Sequence, residues 1–356
     1  MRAWCHVSHS DPCPICGRPN WCSISADGAW VLCRRVDNGT GLHKVDKAGA
    51  DYWLYRLDGH VPYRRSINEL PSQPQAERAD PLALDHVYRA LLATLPLSPP
   101  HRQALRQRGL SDREMVRRLY RTLPPHSRAT RARQMVEHFG AEVCARIPGL
   151  YRAERGRQQW WSLAGVPGLL IPVREMDGRI VALKVRADHP GEGPKYTYLS
   201  STKHGGPGPG APVHVPLHAL SPGAPVRITE GELKADVATV LSGVLAIAVP
   251  GVALWRQVLS LLDVLQPTGV RLAFDSDWRQ NPHVARALAQ ATQALVEAGH
   301  AVWVETWDAS QGKGIDDVLA AGSTPTLQSA VPWLHWARTL PEKSGGRPSH
   351  IVVEVR

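Results

Sequence analysis

Val226-Arg227-Ile228-Thr229-Glu230-Gly231-Glu232 and Val270-Arg271-Leu272-Ala273-Phe274-Asp275-Ser276-Asp277 decide the fold of this chain. Each is a short apolar, β-branched run that ends on acidic residues. A third acidic pair, Asp316-Asp317, follows a further strand-like run. In open α/β sheets ligands bind outside the carboxyl ends of strands, and carboxylates gathered there repel one another unless a hard divalent cation relieves them. Glu230, Asp275, Asp277 and Asp316 are therefore the candidate catalytic residues, and Asp275, Asp277 and Asp316 the candidate ligands of Mg²⁺ or Mn²⁺.

Around these runs the pattern alternates. Strands over 226–229, 244–249, 270–275 and 301–305 are separated by helices over about 233–242, 252–265 and 282–298, with a last helix over 314–321. Helix-length segments between short apolar strands imply right-handed crossovers and a mainly parallel sheet. Glu232 and Lys234 fall on the first helical turn after the first strand, where a solvent-facing position competes with an auxiliary role at the site.

Upstream, Leu169–Arg174 and Ile180–Val185 flank Asp177-Gly178, a turn pair suited to positive φ, which predicts a hairpin. Lys184, Arg186 and Lys195, interleaved with Tyr196 and Tyr198, place cations and stackable rings on neighbouring strands, the mixture that holds single-stranded nucleic acid. Lys203 opens a basic Gly/Pro-rich loop and joins this nucleic-acid and nucleotide-binding group. From Pro81 to about Phe139 the period is helical. Pro99-Pro100 starts a helix that Gly109 stops, and Ser111-Asp112-Arg113-Glu114 is a capping-box signature. These helices carry many arginines, which either form a solvated face or contact phosphate.

Five of the six cysteines lie in the first 33 residues. Cys13-Pro14-Ile15-Cys16 is one half of a zinc knuckle, because two thiolates at that spacing bind one tetrahedral ion without strain. Cys22 and Cys33 complete a four-thiolate set, with His6, His9, Cys5 and His43 as competitors for the fourth position. Trp21–Ser25 and Gly28–Leu32 are expected to form a β-ribbon about Asp27-Gly28.

Lys+Arg number 42 against Asp+Glu 32, a formal charge of +10, and the arginine-dominated excess suits phosphate. No run of about 18 apolar residues occurs, so no membrane partner is expected and the protein is expected to be cytoplasmic. No Gly-x-x-x-x-Gly-Lys-Ser/Thr phosphate loop occurs, so any ATP-driven unwinding is expected from a separate replicative helicase.

Thr229-Glu230-Gly231-Glu232, Phe274-Asp275-Ser276-Asp277 and Gly312-Lys313-Gly314-Ile315-Asp316-Asp317 resemble the three acidic motifs of the Toprim domain of bacterial-type DNA primases. The resemblance implies that Glu230 is the acid/base or metal-associated glutamate and that Asp275 and Asp277 form the metal-binding pair. Asp316 matches the later acidic position, where primases read closer to Asp-Pro-Asp-Glu; one carboxylate is missing here, which implies a weaker second metal. The Cys13, Cys16, Ser23-Ile24-Ser25 and Cys33 pattern is similar to primase zinc ribbons, although Val36 stands where the last cysteine would be.

The likeness is to the compact primase-like proteins of plasmids, phages and other mobile elements. It implies an α/β fold: a zinc ribbon over 1–60, a linker over 61–80, a basic helical region over 81–148, a β-rich basic subdomain over 149–225, a Toprim domain over 226–340 and a tail over 341–356. It implies two-metal synthesis of short RNA primers from nucleoside triphosphates on single-stranded DNA. The alternatives are a non-enzymatic nucleic-acid-binding module that recruits a helicase or relaxase, and a metal-dependent nuclease.

Overall fold

The computed structural model describes residues 4–8, 11–19, 21–37, 40–46, 51–57, 77–191, 193–219, 221 and 223–339. The expected linker falls mostly, and the expected tail wholly, outside these residues. The chain is mixed α/β with several sheets. Among the described residues no helix is long and apolar enough to cross a membrane.

The N-terminal sheet is antiparallel: β1 (Trp4–His6), β2 (Ser23–Ser25), β3 (Trp30–Cys33), β4 (Leu42–Val45) and β5 (Asp51–Arg56), in the order β1-β2-β3-β5-β4. The expected ribbon is β2 with β3, and Gly28 at its turn takes φ +70°. Its small core joins Val7, Ile24, Val31, Trp53 and Tyr55 to three buried cysteines, too little apolar surface to hold so small a unit without a staple.

Local signals place the helices that follow. Asp80 caps α1 (Pro81–Ala93), Ser98 caps α2 (Pro99–Gln107), and Ser111 accepts the Glu114 amide to start α3 (Asp112–Arg118). Glu114 does not reach back to close a capping box. Its carboxylate instead meets Arg118 at 3.1 Å and Arg117 at 3.5 Å, because charged guanidiniums compete better than one backbone amide. After β6 (Arg121–Leu123) come α4 (Arg128–Phe139), α5 (Ala141–Ala145) and the hairpin of β7 (Leu150–Arg155) with β8 (Gln158–Leu163).

β9 (Gly168–Arg174) and β10 (Ile180–Ala187) form the expected hairpin about Gly178, at φ +85°. With β11 (Tyr196–Tyr198) and β6 they make a sheet ordered β11-β10-β9-β6, whose strands are antiparallel. α1, α4 and α5 cover one face, closing a core of Leu84, Val87, Leu91, Leu170, Ile180 and Leu183 among others.

The third sheet runs β13-β12-β14-β15-β16, from β12 (Val226–Glu230), β13 (Leu245–Val249), β14 (Val270–Leu272), β15 (Val302–Thr306) and β16 (Thr326–Ser329). The first four are mutually parallel, and β16 adds an antiparallel edge that the sequence pattern does not foresee. Alternation along β13 sorts the faces. Leu245, Ile247 and Val249 meet α7 (Leu259–Leu265), α8 (Pro282–Glu297) and α10 (Ala330–Thr339), with Trp278, Trp333 and Trp336 packed edge to face. Ala246 and Ala248 face α6 (Glu232–Ser242) and α9 (Ile315–Ala320), where small side chains let the helices approach closely. The helix expected over 252–265 splits into a 3₁₀ stretch, Val252–Val258, and α7.

Two buried clusters lock α6 to the upstream half. Leu233 and Val237 pack with Leu105, Leu110, Met115, Tyr120, Leu169 and Ile171. Beside them, Asp236 accepts from Arg118 at 2.7 Å and from the Tyr120 hydroxyl at 2.5 Å.

Candidate active site

Glu230 stands on the last position of β12, and Gly231, at φ +87°, turns the chain into α6. A side chain is disfavoured there by the backbone conformation rather than by crowding, since nothing lies near the position of an added Cβ. The neighbouring strand end is tied in by Thr229 Oγ1, which donates to the Ala273 carbonyl at 2.9 Å. Asp275 and Asp277 follow β14, and the turn is held by the Ser276 amide donating to the Lys313 carbonyl at 2.9 Å. That bond draws in the 312–317 segment, where Trp307 Nε1 donates to the Gly312 carbonyl at 3.0 Å and the Gly314 amide to Asp317 at 3.1 Å. The three acidic motifs, remote in sequence, thus meet at one end of the parallel sheet.

Basic residues already engage the carboxylates. Lys234 Nζ is paired with Asp275 Oδ1, and Lys313 Nζ lies 3.5 Å from Asp275 Oδ2 and 3.1 Å from Asp277 Oδ2. Arg108, just after α2, reaches Asp316 Oδ2 at 2.5 Å. Burial, followed by the Asp275 charge, pushes Glu230 up to about 7. Burial likewise raises Asp316. Lys234 is raised: burial opposes its charge, but the Asp275 and Glu230 carboxylates outweigh burial.

The donor set fits a hard divalent cation on two counts. Asp277 Oδ1 is buried without a hydrogen-bond partner among the described residues, and every ligand is a carboxylate oxygen. Asp275 and Asp277 are the residues that would hold it, with Asp316 and Glu230 beside them.

The basic strand residues divide. Lys184 does not present a free charge to a ligand: its ammonium is buried and donates to both Glu232 oxygens at 2.8 and 2.7 Å, while Tyr198 donates to the same carboxylate at 2.8 Å. Glu232 is accordingly 2% exposed rather than solvent-facing. Arg186 pairs across the sheet with Tyr196, and its Nε is buried without a partner among the described residues. Lys195 is exposed beside the Tyr196 ring at 5.9 Å, and Lys203 is exposed on a 3₁₀ turn whose His204 stacks on Tyr151. The Tyr196 phenol is raised, first by burial, and feels Arg108, Arg186, Asp316 and Lys234 together, so this strand adjoins the acidic group.

Sequence reasoning counts Arg108 and Arg118 alike in one basic series and singles out neither. Much of that series serves the fold. Arg118 is buried on Asp236, Arg106 pairs with Asp112, and Arg121, Arg128 and Arg131 donate to backbone carbonyls. Except for Arg106 and Asp112, six residues apart, these contacts span 29 to 118 residues, so nothing in the local pattern separates the positions.

At the N-terminal sheet, the Cys13, Cys16, Cys22 and Cys33 sulfurs all lie within 4.8 Å of one another. The Cys16–Cys22 and Cys22–Cys33 separations are 3.7 and 3.8 Å. Tetrahedral zinc with bonds of about 2.3 Å requires sulfurs about 3.8 Å apart, so the set fits zinc. Gly17, at φ +67°, closes the knuckle by donating to the Cys13 carbonyl at 2.7 Å. The proximity sets the thiols against one another. Burial pushes Cys16 up to about 11, and the hydrogen bond between Cys22 and Cys33 lowers Cys33 and raises Cys22. Two competitors are engaged elsewhere, His6 near Ser23 at 3.1 Å and His43 near Asp51 at 2.9 Å, and Cys5 is outside the cluster. His9 lies outside the described residues.

A family model described as "Domain of unknown function (DUF3854)" matches residues 219–325. No curated protein matches by sequence. Among solved structures the chain is similar to the Aquifex aeolicus primase (zinc-binding and RNA polymerase domains), at 14% identity and a TM-score of 0.52, covering 70% of this chain and 63% of that one. The E. coli primase catalytic core aligns at 18% identity and a TM-score of 0.51, covering 73% and 84% of the two chains. The RNA polymerase domain of Mycobacterium tuberculosis primase, in complex with a double-stranded DNA with a 6-nucleotide overhang, aligns at 17% identity and a TM-score of 0.50, covering 72% and 84%. The chain spans 63% of the length of the Aquifex structure, and at these identities the likeness is one of fold.

Proposed function

We propose that this chain synthesises short RNA primers on a single-stranded DNA template, in the replication of a plasmid, phage or other mobile element. The observation that carries this reading is the convergence of Glu230, Asp275, Asp277 and Asp316 at strand ends, with an Asp277 oxygen unpartnered among the described residues, beside the paired ends of β10 and β11 where Arg186, Lys195 and Tyr196 stand. The resemblance in fold to primase catalytic cores supports it.

Mg²⁺ or Mn²⁺ at Asp275 and Asp277 would supply Lewis-acid activation of the attacking 3′-hydroxyl and neutralise triphosphate charge. Glu230, pushed to about 7, is suited to accept a proton near neutral pH. Arg186, Lys195 and Lys203 would hold the template or triphosphate backbone, with Tyr196 offering a ring to a base. Lys184 acts indirectly here, fixing Glu232 and the start of α6. The four cysteines would hold structural zinc, and the N-terminal sheet would help to select the start site, while a separate helicase would open the duplex.

The test incubates zinc-loaded protein with single-stranded DNA, labelled ribonucleotides and Mg²⁺ or Mn²⁺, beside an Asp275→Ala/Asp277→Ala variant. Short labelled RNA from the parent alone is the expected result. Intact template without product, despite DNA binding, overturns synthesis in favour of a binding module, and shortened template overturns it in favour of a nuclease.

A further inference from the structure

We propose that the Lys234 ammonium is a built-in cation of the acidic site, so that the site takes one divalent ion rather than the two that its carboxylate pattern implies. The inference rests on the metal-dependent reading above and refines its ion count.

Lys234 projects from the first turn of α6, and its side chain is 16% exposed. Its Nζ pairs with Asp275 Oδ1. A methyl group placed on Gly314 would come within 2.7 Å of Lys234 Cε, 3.1 Å of its Nζ and 2.5 Å of Asp316 Oδ1. The ammonium is therefore wedged between the Asp275 strand end and the 314–316 turn, in the same small space as the Asp316 carboxylate. The Glu230 carboxylate lies near the ammonium as well. The other Asp316 oxygen is occupied by Arg108 at 2.5 Å. The Glu230 and Asp316 side of the site is thus met by two cations anchored in packed helical segments.

The opposite side is open. Lys313 faces Asp275 Oδ2 and Asp277 Oδ2, but its side chain is 65% exposed and can swing into solvent, and Asp277 Oδ1 has no partner among the described residues. Charge agrees with geometry. Glu230, Asp275, Asp277 and Asp316 carry four negative charges when ionised; Lys234 and Arg108 cancel two, and the exposed Lys313 and Asp317 offset each other. A residual of two negative charges is what one divalent ion neutralises, and a second ion would leave an excess of positive charge in a partly buried site.

The experiment titrates Mn²⁺ into zinc-loaded protein and reads bound ion from the loss of the free-Mn²⁺ electron paramagnetic resonance signal, with circular dichroism as the check on folding. The expected stoichiometries are one Mn²⁺ per chain for the parent and for Lys234→Arg, two for Lys234→Gln, and none for Asp275→Ala/Asp277→Ala. Two ions on the parent, or one on a folded Lys234→Gln, overturns the role of Lys234 while leaving the metal-dependent reading in place. No Mn²⁺ on the parent overturns that reading itself. Should Lys234→Gln not fold, the parent and Lys234→Arg stoichiometries still decide, because two ions on either contradicts a resident cation.

Discussion

Replacing Asp236 by Ala should unfold the junction between α6 and the upstream helices more readily than any loss of surface charge. Asp236 and Arg118 are 3% and 2% exposed at their side chains, and the carboxylate also takes the Tyr120 hydroxyl and faces His214 Nε2 at 3.4 Å. Removing it breaks a buried pair and leaves the Arg118 guanidinium only Glu114 and the Leu217 carbonyl, each at 3.1 Å, a change that costs up to about 3–5 kcal/mol. At a urea dependence of about 3 kcal/mol per molar, the unfolding midpoint falls by about 1–1.7 M. Burial alone would raise Asp236, but the Arg118 charge and the His214 ring overcome it and hold the carboxyl at about 2. A depressed folded-state value means that its stabilisation is present above the unfolded value of about 3.9 and is lost as pH falls towards 2. Urea melts of zinc-loaded protein, followed by far-UV circular dichroism, measure the effect. Arg118→Met/Asp236→Leu should recover part of the loss, since apolar replacement of a buried pair is nearly neutral while the Tyr120 hydroxyl, His214 and Glu114 each lose a partner. An unchanged midpoint in Asp236→Ala, or a double variant no better than the single one, would refute the argument.

Three further outcomes follow from the geometry. The parent should carry one zinc per chain, released by thiol titration and absent from Cys13→Ser, with loss of N-terminal sheet structure on chelation; retention of the ion by the variant would remove Cys13 from the ligand set. Glu230 is raised to about 7, so in metal-free protein its contribution to stability is complete below about pH 4.3 and disappears as pH rises through 7. The thermal midpoint should therefore fall from about pH 4.3 to about 7 in the parent, level off above that, and stay flatter in Glu230→Gln. Lys195→Ala and Lys203→Ala, both at exposed positions, should weaken single-stranded DNA binding and each lower the log–log salt slope by about 0.7; an unaltered slope means that the lysine contacts no phosphate.

The sequence by itself determined the elements whose causes are local. Period-two apolar runs ending on Glu230 and Asp275, helix stops and caps such as Ser111, the Asp177-Gly178 hairpin and the Cys13-x-x-Cys16 knuckle all depend on neighbours a few residues away, so they are legible in one dimension. The antiparallel edge β16 escaped because Thr326–Ser329 is mostly exposed and carries little apolar alternation. Tertiary structure alone decided which charges face which. Lys184 and Arg186 share a strand and a charge, yet one is buried on Glu232 and the other lies by Tyr196. Arg108 and Arg118 look alike in a basic run, yet they end on Asp316 and Asp236, 208 and 118 residues away. A charge signals its sign in sequence but not its partner, because pairing strength depends on distance and burial that only the packed chain sets.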